Sequence, residues 1–212
     1  MRNSRSDKLK RKRDERPPRR LFVLFCEGAK TEPDYFKALE RTLDYDRVQI
    51  KPVPGVGVPL TIAKTAVEWA AGAGLAKRRN RARDPYATDD QVWAVFDRDE
   101  HPRFEEAVRL CEQSGINVAR SNPCFEVWLI LHHEDCHRPL TPHAAQKRLG
   151  QLCPEYYPKG SKTVDAGKLI PGIDAAEARA QMHLAQREAE GMPFGPCSTT
   201  VHLLTQALRG RS

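Results

Sequence analysis

Four short runs rich in apolar residues recur along the chain, each pair separated by enough residues for one helix: LFVLFC (21–26), RVQIKPV (47–53), QVWAVF (91–96) and INVARS (116–121). LFVLFC and QVWAVF are apolar at successive rather than alternate positions, the pattern of strands buried on both faces of a parallel sheet. Between the first two runs, TEPDYFKALERTL (31–43) puts Pro33 and acids in a first helical turn and spaces Tyr35, Phe36, Leu39 and Leu43 along one helical face. LTIAKTAVEWAAGAGLAKRRNRARD (60–84) reads as a long helix fading into a basic end, and RFEEAVRLCEQSG (103–115) as a helix closed by Gly115. The order β-α-β-α-β-α-β specifies an α/β fold, a Rossmann-like mostly parallel sheet flanked by helices.

Past residue 140 this alternation stops. TPHAAQKRLGQL (141–152), opened by Thr141 and Pro142, and DAAEARAQMHLAQREAE (174–190) read as helices. PCSTTVHLLTQAL (196–208) reads as a final helix, with Ser198 or Thr199 as its cap and Val201, Leu204 and Leu208 as its buried stripe. The expected organisation is a disordered basic tail over 1–20, an α/β core over 21–135, and a helical extension over 136–212 packed on that core.

The net charge of +7 resolves into one segment. Residues 1–20 hold ten Lys or Arg against three acids, so the remaining residues are balanced at 25 basic and 25 acidic. A tail of this composition has no apolar periodicity with which to offset its ordering entropy, and it is read either as a sequence-blind grip on phosphates or as a solubilising leader. No run approaches the roughly 18 apolar residues of a membrane span, and no apolar stretch follows the basic start as a signal peptide requires. A soluble, cytoplasmic protein without membrane contact is expected. The six cysteines contain no C-x-x-C pair and are expected to be reduced thiols. HHEDCH (132–137) is a crowded stretch without the two spaced ligand pairs of a typical zinc site, and His132 on an apolar helix face reads as packed rather than catalytic.

In parallel sheets, sites form outside the carboxyl ends of strands. Glu27 closes the first run, Asp97 and Asp99 close the third in VWAVFDRDEH (92–101), and Asn122 and Glu126 follow the fourth. Carboxylates two apart on extended backbone face the same side, where they repel unless one is protonated or a cation intervenes. Magnesium or manganese, with their preference for oxygen ligands, would resolve that repulsion and bridge to a substrate phosphate. The competing reading is a solvated loop whose acids cap the helix starting near Pro102. Lys30 and Arg98 are candidates to meet phosphate charge. CPEYYPKGSKTV (153–164), with Tyr156, Tyr157, Lys159 and Lys162, mixes aromatic and basic residues as nucleic-acid surfaces do, although aromatics beside prolines also pack loops onto cores.

FCEGAKTEPDYF together with FDRDE resembles the Toprim nucleic-acid-processing domain, whose motifs are a glutamate-glycine pair after one strand and a D-x-D after another. More narrowly, CEGAKTEPDYFKAL, VWAVFDRDEH, SNPCFEVWLILHHED and STTVHLL, spread over residues 26–204, resemble the RloB-like family. The resemblance implies a metal-dependent nuclease, commonly encoded beside an ATPase in bacterial anti-phage defence. It implies that Glu27 acts as general acid or base, that Asp97 and Asp99 hold magnesium or manganese, and that Glu126 in the family's NP-x-F-E motif supplies a further carboxylate. Glu100 is a candidate for the acid that often follows the D-x-D. RNA, tRNA among it, or DNA is the implied substrate, and no Walker A stretch occurs, so nucleotide hydrolysis would come from a partner. Two other readings stand beside this one. The first is a binding module of the same fold that has lost turnover and docks nucleic acid or an ATPase; the second is a receiver-like phosphotransfer domain, for which Ser121 is present but no later K-P strand end is. The residues do not specify an oligomeric state.

Overall fold

The computed structural model describes residues 20–43, 48–73, 90–98, 101–157, 160 and 162–211. Of the tail expected over 1–20, residues 1–19 lie outside the described residues and Arg20 begins the first strand; the basic end of the second helix also lies outside the described residues. The elements are β1 (Arg20–Cys26), α1 (Thr31–Glu40), β2 (Val48–Val53), α2 (Pro59–Gly72), β3 (Gln91–Asp97), α3 (Phe104–Ser114) and β4 (Asn117–Asn122). They continue as α4 (Glu126–Leu131), α5 (Pro142–Leu152), α6 (Ala166–Leu169) running into a 3₁₀ turn (Ile170–Gly172), α7 (Ile173–Ala189), β5 (Ser198–Thr199) and α8 (Val201–Leu208).

The strands form one sheet in the order β2-β1-β3-β4-β5. β1 pairs in parallel with β2 on one side and with β3 on the other, and β3 pairs in parallel with β4. The chain therefore steps one way from β1 and then the other way, which opens a crevice beyond the carboxyl ends of β1 and β3. The fold is α/β, with a mostly parallel sheet covered by helices, as the alternation predicts.

Both faces of β1 are buried because its side chains alternate between two cores. Phe22, Leu24 and Cys26 point to one side, where Trp93 and Val95 of β3 join apolar residues of α1, residues 127–131 of α4, and apolar residues of α5 to α8. Val23 and Phe25 point to the other, with Val92, Ala94 and Phe96 of β3 against Ile62, Ala63 and Ala66 of α2 and Phe104, Ala107 and Cys111 of α3. Helix ends follow local chemistry. Gly115 closes α3 at φ +72°, and the Thr141 hydroxyl caps α5 by accepting the Ala144 N–H at 3.2 Å.

Two expectations are corrected. Ser198 and Thr199 form a strand: they pair antiparallel with Asn122 and Ser121, and the Thr199 and Ser121 hydroxyls bond at 3.0 Å, while Thr199 Oγ1 also serves the final helix by accepting the Val201 N–H at 3.2 Å beside Thr200 at the N-cap position. The segment expected to be purely helical thus supplies the last strand, because β4 would otherwise leave an unpaired polar edge. Cys136 and Cys197, 61 positions apart, are joined as a disulfide with Cα atoms 6.2 Å apart, while Cys26, Cys111, Cys124 and Cys153 are free. No spacing pattern in the chain signals this pairing, because the fold alone brings the two residues together. The second helix is described over Pro59–Gly72, and its expected course on to residue 84 lies outside the described residues.

His132 is packed, as read: its Nε2 meets the Tyr35 hydroxyl at 3.0 Å, its Nδ1 meets the Leu169 carbonyl at 2.8 Å, and burial pulls its pKa down to about 4. Among the described residues no helix is long and apolar enough to cross a membrane. Leu24, fully buried in the centre of β1, tests the core: Leu24→Ala should destabilise the chain by about 2–5 kcal/mol in chemical denaturation, from lost transfer energy and a cavity that packed neighbours cannot fill.

Candidate functional site

Parallel pairing carries two carboxylates to the switch point. The register runs Phe25 to Ala94 and Cys26 to Val95, and the Glu27 N–H continues it by donating to the Val95 carbonyl at 3.1 Å. Glu27 then turns its side chain back across β3, where Oε2 accepts the Asp97 N–H at 3.0 Å and Oε1 lies 3.4 Å from His101 Nε2.

A cleft of about 510 Å³ opens here, and Glu27, Glu32, Asp97 and Glu126 all line it. Glu126 is the first residue of α4, 5 % exposed, and its Oε1 accepts a hydrogen bond from the Tyr156 hydroxyl. Glu32 lies in the first turn of α1, also 5 % exposed, and its Oε1 accepts the Gly28 N–H at 2.9 Å. This contact explains the glycine of the E-G pair: a Cβ at position 28 would overlap the Glu32 carboxylate. The need at 28 is for space.

Four acids in one partly dry cleft disturb one another's protonation. Burial first, and then the neighbouring Glu32, Glu126 and Glu27, push Asp97 well above the ordinary carboxylate range, while the Phe125 backbone opposes the shift. Burial likewise raises Glu32 to about 7, with Glu126 and Glu27 adding to it against hydrogen bonds from the backbone. The Cys124 thiol, pushed far up by burial and then by Glu126 and Asp97, stays protonated and is no nucleophile at neutral pH.

Lys30, exposed at the start of α1, and Lys162, exposed in the 160s loop, stand at the rim. The two sides of the cleft are tied where Thr31 Oγ1 donates to the Lys162 carbonyl at 2.8 Å. The fold therefore gathers Glu27, Asp97, Glu126, Lys30 and Lys162 from the expected site residues. Arg98 and Asn122 do not line the cleft; Arg98 Nη1 and Asn122 Nδ2 both donate to the Phe194 carbonyl, at 3.0 and 2.8 Å. Asp99, Glu100 and Lys159 lie outside the described residues. Among the described residues, no three His, Cys, Asp or Glu side chains are grouped so that they could hold a metal ion.

Three contributors escaped the sequence reading: Glu32, His101 and Tyr156 as a partner of Glu126. Glu32 had a visible signal, an acid four residues after the glycine of EGAKTE, but an acid in a first helical turn is ordinarily explained by the helix dipole. Tyr156 turns out to position a carboxylate, whereas Tyr157 presents a ring that is 63 % exposed.

The family model described as RloB-like protein matches residues 22–208, everything but the two ends of the chain. The chain belongs to the RloB-like family. Searches among curated proteins and among solved structures returned no match. In this RloB-like chain the match runs through all five strands and all four acids of the cleft.

Two outcomes follow for the RloB-like site. A carboxyl raised from 4.5 to about 7 on folding makes the native state hold the extra proton, so its stabilising contribution is complete below about pH 4.5 and is lost as pH rises through 7. In EDTA, thermal stability should therefore fall between pH 5 and 8 by an amount on the order of 3 kcal/mol, with Asp97 acting in the same direction, and Glu32→Gln should flatten that slope. Calorimetric melts of both proteins across this range check it. Gly28→Ala should evict the Glu32 carboxylate and destabilise the chain by about 1–3 kcal/mol in urea titration.

Proposed function

We propose that the chain is a metal-dependent nuclease of the Toprim class, hydrolysing phosphodiester bonds in RNA, tRNA among it, or in DNA. The observation that carries this reading is the crowd of four carboxylates at the β1/β3 switch point, with Asp97 and Glu32 holding protons more tightly than isolated acids would. That surplus of negative charge suits a hard divalent cation. The donors are carboxylate oxygens, and the Cys124 thiol that lines the cleft stays protonated, so magnesium or manganese fits better than zinc.

Asp97, Glu126 and, outside the described residues, Asp99 would hold the metal, with Glu27 as a further carboxylate. When bound, the ion supplies charge to neutralise a phosphodiester and to acidify a water molecule. Glu27, fixed by the Asp97 N–H and beside His101, is placed to accept a proton from the attacking water. Tyr156 holds Glu126 in one orientation through its hydroxyl. Lys30 and Lys162 meet substrate phosphates at the rim, and the exposed ring of Tyr157 offers a base a stacking surface. Placement in anti-phage defence, gated by an ATPase partner, follows from the family resemblance by analogy.

A second reading, a binding module without turnover, draws on the absence, among the described residues, of any three His, Cys, Asp or Glu side chains grouped to hold a metal ion. One experiment separates them. Manganese titrated calorimetrically into wild type should bind, and cleavage of tRNA or single-stranded DNA should require the metal. Asp97→Asn should abolish binding and lower cleavage at least about 100-fold while the melt is retained, and Glu27→Gln should lower cleavage by more than it lowers metal affinity. Cleavage indifferent to Asp97→Asn would overturn the nuclease reading, and nucleic-acid binding without cleavage in any metal, with or without an ATPase partner, would favour the binding module.

A further inference from the structure

Across the tip of β3 from the carboxylates lies a cluster of opposite charge. Asp97 and Arg98 are consecutive, and the Arg98 N–H donates to the Ser121 carbonyl at 2.7 Å, so their side chains leave on opposite faces of the sheet. Arg120, opposite Phe96 in the β3/β4 register, points to the same face as Arg98, the one covered by α2 and α3.

Both guanidinium groups rest on aromatic rings. Phe104 and Phe194 stack with centroids 6.2 Å apart and planes 13° apart. The Arg120 guanidinium centre lies 4.2 Å from the Phe194 centroid and 5.9 Å from that of Phe104, and Arg98 lies 5.9 Å from Phe104. Arg98 spends Nη1 on the Phe194 carbonyl, whereas Arg120 has no hydrogen bond or ion pair from its guanidinium to any described residue. It is half-buried, with burial and the charge of Arg98 working against its own and Glu105 and Glu112 only partly offsetting them from α3.

The backbone beneath is held in an unusual state. Phe194 sits at φ +58°, the left-handed region that a bulky side chain rarely adopts. Its carbonyl takes two side-chain donors, from Arg98 and Asn122, and its ring packs against both Phe104 and the Arg120 guanidinium. Strain persists where surrounding contacts over-determine it, and such places are often binding sites. The result is two planar cations, one with every donor unspent among the described residues, fixed on a rigid platform. A stacked, preorganised guanidinium matches the paired oxygens of a phosphate better than a flexible ammonium does.

We propose that Arg98 and Arg120, on the Phe104–Phe194 platform, form a second phosphate subsite that binds a phosphodiester flanking the one at the carboxylate cleft. This deepens the nuclease reading and rests on the chain binding nucleic acid. The strand crosses the tip of β3, one phosphate meeting the acids and a neighbouring one meeting the arginines.

The test is binding of fluorescein-labelled single-stranded RNA and DNA oligonucleotides to the full chain by anisotropy, in EDTA and over a salt series. Arg120→Gln should weaken binding roughly tenfold and reduce the slope of log affinity against log salt by about 0.7, the value for one single-strand phosphate contact. Arg98→Gln should act in the same direction, and Lys51→Gln, an exposed charge on β2, should leave the slope unchanged. If Arg120→Gln melts early, Arg120→Lys, which keeps charge and loses the planar fork, should still bind more weakly than wild type. Variants of both arginines that bind like wild type and keep its salt slope would overturn the subsite while leaving the nuclease reading intact. A wild-type chain that binds neither oligonucleotide would overturn both.

Discussion

Parallel pairing of β1 with both β2 and β3 sets the position of everything chemical in this protein. Because β1 lies between β2 and β3 and the chain leaves it first to one side and then to the other, a crevice opens beyond the tips of β1 and β3. Glu27 and Asp97 emerge at those tips on neighbouring strands, close enough for one carboxylate to accept the other residue's N–H. α1 and α4 begin beside the same opening and add Glu32 and Glu126. The cleft follows from the strand order before any side chain is chosen.

The side chains then put the tip under electrostatic tension of two signs. On one face, four acids raise the proton affinity of at least two of their number. On the other, two arginines stand near each other over aromatic rings, with acids of α3 facing them only at a distance. Neither arrangement is what stability alone favours, since buried like charges weaken a fold. On the function proposed above, each would be relieved by a ligand of opposite charge, a cation for the acids and a phosphate for the arginines. A nucleic-acid strand with a metal would supply both.

Legibility in the sequence depended on whether a residue's role was set locally. The strands of LFVLFC and QVWAVF, the Gly115 stop and the Thr141 cap were readable because periodicity and capping act within a few residues. Glu27, Asp97 and Glu126 were readable because strand ends are where parallel sheets place chemistry. Glu32 was visible yet ambiguous, since a first-turn acid serves a helix dipole equally well. The Tyr156 to Glu126 bond, the Cys136 to Cys197 pairing and the turn of Arg98 toward Phe194 each span 30 residues or more, and no local pattern reports them. The Ser198–Thr199 strand was misread for the same reason: two hydroxyl residues before an apolar stripe look like a helix cap until β4 is seen to need a partner.

By itself, the sequence determined the α/β class, the burial of β1 and β3 on both faces, and the presence of acids at strand ends, because these follow from hydrophobic period and from the short reach of backbone hydrogen bonding. Tertiary structure alone decided which acids share a cleft, that Gly28 must leave room for Glu32, and that Arg98 faces away from Asp97 toward Arg120 and the Phe194 loop. Those outcomes depend on strand order and on contacts between residues distant in the chain. Such contacts form only when the two cores close on either side of the sheet.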